Sequence, residues 1–289
     1  MDSQSYRFIY PISTNSDIPA DFPKETRESS FGSGVFLPQD DSNWYTRPPQ
    51  FPARVLLLRD QSISIISHPT SGQAPVEIAF CDLIQLETGN VLLSGWMKFT
   101  TRGSVYEITY NTRASHPLER FVALLRSQWL RDGSPCSDTP PVFFGDDLDL
   151  KFRNLLHAEL TAGEIVLLQY FQPPVKTERK HLLWKRVHWR PGDLLVLTSE
   201  NRLLWITDDY RRHRELYAAV CRSSPARVFQ SCGVESTGTA AQIAISLQDD
   251  STWRIPIRSS TGHAAAFSEA LGYQFPRLRT PHASRSASE

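Results

Sequence analysis

Two stretches of the chain alternate between apolar and polar positions and then change to a helical spacing. In the first stretch, residues 53–131, the period of two predicts successive strands. In the second, residues 164–275, the same alternation precedes a shorter helix predicted over residues 263–271. The repetition predicts two similar small domains, and 289 residues are enough for each to bury a core. The apolar stripe of the first helix, over residues 117–130, consists of Leu118, Phe121, Val122, Leu125 and Trp129.

Two hairpins follow from the alternating positions. Residues 97–99 and 106–110 carry apolar and aromatic side chains on one face, and a turn at residues 101–103 joins them. Residues 243–257 form the second hairpin, and Pro256, which has no N–H to donate, places its second strand at a sheet edge. The predicted core face of that hairpin consists of Ile243, Ile245, Leu247, Trp253, Ile255 and Ile257.

Particular residues mark the ends of the two predicted helices. We expect Ser115 to cap the first helix and Gly133 to end it. For the last helix, we expect Thr261 to form the cap and Gly272 to end the helix.

Composition divides the rest of the chain. Residues 1–52 are rich in Ser, Pro, Asp and Asn, and we interpret them as an irregular arm whose aromatic residues pack on the first domain. Residues 132–163 are interpreted as an acidic linker followed by a short helix, and residues 276–289 as a disordered tail. The two domains therefore comprise residues 53–131 and 164–275.

Charge and hydropathy limit the classes of function. Lys and Arg together number 31, as do Asp and Glu, so the whole chain has no net charge to attract nucleic acid or an anionic membrane. Its first residues lack a secretory signal, and no stretch reaches the roughly 20 apolar residues of a membrane helix. We expect a cytoplasmic protein, with peripheral attachment to a membrane as the alternative. The four cysteines form no CxxC pair. Cys81 and Cys221 lie in apolar strand segments, which favours small buried hydrophobes over metal or redox chemistry.

One segment of the second domain concentrates positive charge. Residues 176–190 contain a single acid, Glu178, and six bases. Such a cluster can hold an anion through charge-assisted hydrogen bonds, although a charged strand face is more often only solvated. The candidate anion- or lipid-binding residues are Lys176, Arg179, Lys180, Lys185, Arg186 and Arg190.

No other pattern in the sequence predicts chemistry. His181 and His188 lack a third ligand at a recognisable spacing, so no metal site is expected. The sequence contains no GxSxG, Walker or GxGxxG motif, so we predict no catalytic residue and no cofactor. The aromatic and basic mixture at residues 184–190 also fits single-stranded nucleic acid, which we rank third among the partner classes.

Parts of the second domain resemble a known superfamily. Leu-Leu-Val-Leu-Thr at residues 194–198, a polar turn, and Arg-Leu-Leu-Trp-Ile-Thr at residues 202–207 are similar to the second and third strands of pleckstrin-homology-like (PH-like) domains. Asp-Ser-Thr-Trp at residues 250–253, with the helix after it, resembles their last strand and closing helix. The similarity is to the bacterial PH and GRAM-like members in particular. It implies a fold that is mainly β with α, built as two PH-like β-barrels that are each closed by a C-terminal helix.

The resemblance also implies a class of function. It implies a non-enzymatic binding or scaffolding protein, and a protein partner is our leading expectation. Lipid-binding members carry bases in the loop between their first two strands, so binding of anionic lipid headgroups by the basic segment is the alternative. The first domain has only Arg54 and Arg59 near its opening hairpin. An enzyme is the alternative from a different class, and titratable side chains converging in a deep pocket would favour it.

Overall fold

The computed structural model shows a fold that is mainly β with a few helices, as the alternation predicted. The chain divides into two compact units, residues 1–132 (unit 1) and residues 133–289 (unit 2). In the described part of the chain, no helix combines the length and the apolar character needed to pass through a bilayer. The structure describes residues 8–39, 51–91, 94–113, 115–130, 141–181, 184–213, 216–237, 240–258 and 261–274.

Unit 1 contains two antiparallel sheets and a helix that follows them. The first sheet has the order β1-β2-β3-β4-β5, in which the strands are β1 (Tyr10–Ile12), β2 (Ser33–Leu37), β3 (Arg54–Leu58), β4 (Ser62–Ser67) and β5 (Val76–Ala79). The second consists of β6 (Leu83–Val91), β7 (Ser94–Thr101) and β8 (Val105–Asn111). The helices are α1 (Lys24–Glu28) and α2 (His116–Trp129).

The predicted core of unit 1 is confirmed. Met97 lies opposite Ile108 and Phe99 opposite Tyr106, as the first hairpin required. All five residues of the α2 stripe are buried, in one apolar cluster with residues of both sheets. The indole Nε1 of Trp129 also donates to the Leu83 carbonyl at 3.2 Å, which satisfies the one polar atom of that side chain.

The N-terminal arm is more regular than its composition predicted. It supplies β1 and β2, so the first sheet begins within the segment interpreted as irregular. Residues of the arm cover the outer face of this sheet, where Ile12 and Phe22 pack with Val55 and Leu57. This cover explains why β3 is buried on both faces, whereas an alternating strand would have exposed one of them.

The helix ends differ from the predicted ones. Ser115 occupies the N-cap position of α2, but its backbone is helical and its hydroxyl donates to Glu119 Oε1 at 2.6 Å instead of capping. Gly133 lies outside the described residues. The last helix, α4 (Thr261–Gln274), begins at Thr261 and continues through Gly272, so Gly272 does not end it as expected. Residues 259–260 lie outside the described residues, and the prediction that Thr261 forms the cap stays a prediction.

Unit 2 contains two sheets, a separate hairpin and two helices. The first sheet comprises β9 (Val142–Gly145), β10 (Val166–Gln172), β13 (Asp193–Thr198), β14 (Arg202–His213) and β15 (Leu216–Pro225). Between β10 and β13 lies a hairpin of β11 (Val175–His181) and β12 (Trp184–Arg190). The second sheet is formed by β16 (Phe229–Thr237), β17 (Ala240–Leu247) and β18 (Thr252–Pro256). Helix α3 (Leu150–Glu159) precedes β10, and α4 follows β18.

The second predicted hairpin is confirmed in its register and its edge. Ile243 lies opposite Ile255 and Ile245 opposite Trp253, and β18, with Pro256, is an edge strand of its sheet. Five of the six predicted core residues are buried, whereas Ile257 lies beyond the end of β18 and is half-buried. The alternating pattern therefore predicted the buried face of the hairpin correctly but included one residue too many, Ile257.

The segment interpreted as an acidic linker also contains regular structure. The predicted short helix is present as α3, and the Asp149 carboxylate caps it by accepting from the Phe152 N–H at 2.8 Å. Val142–Gly145, which the composition did not mark as a strand, runs parallel to β10 as its neighbour. Phe144 of this strand contacts Phe267 of α4, with ring centroids 6.1 Å apart.

Candidate binding site

The six predicted binding residues all lie in the hairpin β11–β12, which we call the basic hairpin. It is inserted between β10 and β13, the first two antiparallel neighbours of the first sheet of unit 2. Lys176, Arg179 and Lys180 are in β11. Lys185, Arg186 and Arg190 are in β12. Among the described residues, these two strands pair only with each other.

The register of the basic hairpin places like charges opposite each other. Arg179 is the partner of Arg186, and Lys180 is the partner of Lys185. Like charges at directly opposite positions generally destabilise an antiparallel pair of strands. Arg190 is the one candidate whose side chain is described, and it is exposed.

The base of the basic hairpin is held in place by buried polar contacts. The Gly192 N–H donates to Asp208 Oδ1 at 2.5 Å, and the Thr207 hydroxyl donates to the Gly192 carbonyl at 3.0 Å. Asp208 is fully buried and also pairs with Lys151 Nζ at 2.8 Å. A Cβ at Gly192 would lie 2.9 Å from the Phe152 ring, so only glycine fits this position.

Asp193, the first residue of β13, lies at the centre of this buried polar network. One carboxylate oxygen accepts from Gln172 Nε2 at 2.9 Å and faces Arg258 Nη2 at 3.1 Å. The other accepts from Trp205 Nε1 at 3.0 Å. Burial raises the pKa of Asp193 above its ordinary value, because the loss of solvation outweighs the attraction of Arg258 and these hydrogen bonds.

Arg258 joins this network to the end of β18. Its side chain is 7% exposed, and burial is the main cause that lowers the pKa of its guanidinium. Asp193 opposes that shift, whereas the positive charge of Arg190 adds to it. Gln172 fixes the backbone here, since it accepts from the Arg258 N–H at 3.0 Å and donates to the Pro256 carbonyl at 2.7 Å.

A second buried ion pair lies at the opposite end of β13 and β14. Arg202 and Glu164 have no exposed side-chain surface, and Arg202 Nε lies 3.0 Å from Glu164 Oε1. The N–H and hydroxyl of Thr161 also donate to the Glu164 carboxylate. Although burial raises the pKa of Glu164, attraction by Arg202 and these hydrogen bonds outweigh it and leave the pKa lowered.

Unit 1 contains a cavity of about 330 Å³ between β5 and the turn that joins β7 to β8. Glu77, Asp82, Arg102 and Tyr106 contribute to its lining. The hydroxyl of Thr101, another lining residue, is engaged with the backbone of Ser104. Across the described residues, no three His, Cys, Asp or Glu side chains come together as a metal-ligand set.

Sequence reasoning missed the buried network below the basic hairpin. Its members are far apart in the chain and follow no motif spacing, because the sheet brings the ends of separate strands together. One available signal was position, since Asp193 and Asp208 flank the apolar runs of β13 and β14 where a solvated turn would be expected. The residues that were missed are Lys151, Gln172, Asp193, Trp205, Asp208 and Arg258.

Comparison with known proteins adds no family to this picture. No family model matches the chain, and no curated protein matches it in sequence.

Proposed function

We propose that this is a non-enzymatic binding protein built from two PH-like units, and that the basic hairpin of unit 2 binds an acidic segment of a protein partner. The observation that carries the proposal is the register of the hairpin. In this register Arg179 lies opposite Arg186, and Lys180 lies opposite Lys185. Among the described residues, no third strand pairs with β11 or β12.

The order of elements supports the PH-like assignment of both units. In unit 1, β2 to β5 are followed by the three strands β6 to β8 and by α2. In unit 2, β10, β13, β14 and β15 are followed by the three strands β16 to β18 and by α4. Four antiparallel strands, three more and a closing helix are what the resemblance implies for a PH-like β-barrel.

Among the described residues no further strand pairs with the edges of the basic hairpin, which favours a protein segment as the partner. An exposed strand edge presents N–H and C=O groups that an extended peptide can bind by strand addition. Bases on that edge would oppose pairing with a second copy of the hairpin and would select a segment rich in Asp and Glu. The peptide would satisfy both the backbone groups and the opposed positive charges.

An anionic lipid surface is the second candidate, and the position of the hairpin favours it. The bases lie between the first two antiparallel strands of the unit, β10 and β13, where lipid-binding PH-like domains carry theirs. A membrane would neutralise the charges but would leave the strand edges unpaired. The two candidates therefore differ in whether the backbone of the hairpin takes part.

A binding experiment separates the two partners. Fluorescence anisotropy would measure binding of a ten-residue peptide that alternates Glu with Val, and co-sedimentation would measure binding to phosphatidylcholine vesicles with and without phosphatidylserine. We expect tight, salt-sensitive binding of the peptide and only weak binding to the anionic vesicles. The double variant R179E/R186E should lose peptide binding by at least about tenfold.

The matched control is R254E, which reverses an exposed arginine of β18 outside the hairpin. It should bind the peptide like the unmodified protein. If the vesicles bind and the peptide does not, the lipid candidate replaces the protein partner. If neither ligand binds, or R254E weakens binding as much as R179E/R186E, the basic hairpin is not the binding site.

A further inference from the structure

One cation near the base of the basic hairpin has no carboxylate partner among the described residues. Arg258 faces Asp193 at 3.1 Å, and Lys151 faces Asp208 at 2.8 Å. Arg190, the last residue of β12, pairs with no carboxylate in the part of the chain that the structure describes, and its charge lowers the pKa of Arg258.

The guanidinium of Arg258 is also only partly used. Its Nη2 binds Asp193, whereas Nη1 is buried and has no hydrogen-bond partner among the described residues. A buried N–H group without a partner is rare in folded proteins and is costly, more so when the group is charged. Arg190 lies three residues before Asp193, the residue that Arg258 faces, and its exposed side chain adds a second cation whose charge acts on Arg258.

We propose that Arg190 and Arg258, the Arg190–Arg258 pair, together bind one carboxylate group. The inference rests on the proposed function in one respect, because the carboxylate is supplied by an Asp or Glu of the segment that the basic hairpin holds. Two oxygens in one plane suit two guanidinium donors. A carboxylate brings one negative charge, whereas a phosphate dianion would bring a second one close to the buried Asp193 and Asp208.

Two variants test the pair without removing the ion pair in the core. R258K keeps a cation facing Asp193 but removes the second nitrogen, and R190Q removes only the exposed charge. With the Glu–Val peptide, each variant should lose about tenfold in affinity, and the double variant should lose little more than either single one. The control R254Q, on the exposed face of β18, should bind like the unmodified protein.

A second measurement tests the Arg190–Arg258 pair independently of peptide binding. The melting temperature should rise saturably, by about 2 °C or more, in increasing sodium acetate at constant ionic strength. The rise should persist in R254Q and disappear in R190Q and R258K. Inorganic phosphate in place of acetate should give a smaller rise.

The outcomes separate this inference from the proposed function. An acetate response without peptide binding would support the carboxylate site and remove the acidic segment as its source. Peptide binding that R190Q and R258K leave unchanged would overturn the carboxylate site while the proposed function stands. A flat acetate response, or a larger response to phosphate, would also overturn it.

Discussion

The buried pair of Arg202 and Glu164 provides the sharpest test of the structure of unit 2. Neither side chain has exposed surface, so replacing Glu164 by Gln leaves the Arg202 charge buried without a counter-charge. Breaking such a pair from one side costs about 3–5 kcal/mol. Unit 2 comprises residues 133–289. For a folding unit of about 150–250 residues, this loss of free energy corresponds to a fall in melting temperature of roughly 6–20 °C.

Removing both charges should cost much less than removing one. In the double variant E164L/R202M no charge remains buried, and a buried ion pair replaced by apolar residues of similar size is often neutral in stability. Equilibrium unfolding in urea, followed by tryptophan fluorescence, would give the free energy of unfolding for the single variants E164Q and R202M and for the double variant. The double variant should be more stable than either single one.

Acid should reduce the effect of E164Q. The pKa of Glu164 is lowered from its ordinary value of 4.5 in the folded protein, so its stabilising contribution is present above that value and is lost as the pH falls through the folded pKa. The difference in unfolding free energy between the unmodified protein and E164Q should therefore shrink below about pH 4.5. Additive losses in the double variant, or a cost of E164Q below about 1 kcal/mol at neutral pH, would refute the buried pair.

Three further predictions concern packing and thiol reactivity. Trp253→Ala should lower the free energy of unfolding by about 3–5 kcal/mol, since the ring is buried, and a loss below about 1 kcal/mol in urea unfolding would contradict this. Phe121→Ser should lower the melting temperature of unit 1 by several degrees in calorimetry, because it places a hydroxyl in the core under α2, and an unchanged transition would show that this helix does not close the core. Cys81 is exposed, so the expectation that it is buried was wrong, whereas Cys221 is buried as expected. At pH 8 Cys81 should therefore react with iodoacetamide well before Cys232, because burial raises the pKa of Cys232 to about 11 and leaves about one thiolate per thousand. Equal labelling of the two cysteines in peptide mass mapping would contradict this.

Local periodicity was enough to predict the hairpins and α2. A face that alternates every two residues, such as Ile243, Ile245 and Leu247, is decided by neighbours in sequence, and these residues are buried as predicted. The same reasoning failed for the N-terminal arm and for β9. Strand β1 of the arm and strand β9 are short and lie in segments rich in Ser, Pro and Asp. Strand β1 is ordered by pairing with β2, and β9 by pairing with β10, rather than by their own propensity.

The basic hairpin of the candidate site could be predicted from the sequence, but the buried network below it could not. The basic segment stands out because six bases are close together in sequence. The network below it was not predictable, since Gln172, Asp193 and Arg258 meet only after three strand ends are brought together. Sequence composition detects a charge cluster, but it does not show which buried groups lie next to it.

The cover that the N-terminal arm provides for the first sheet has a practical consequence for handling the protein. Shortening the chain to start at residue 53 would follow the composition, yet it would uncover Val55, Leu57 and Ile66 on the outer face of that sheet. It would also leave β3 as a bare edge strand. An apolar sheet face next to an open edge promotes aggregation. Recombinant forms of unit 1 should therefore keep residues 8–37, and a protease that cuts within this arm should promote self-association of the unit.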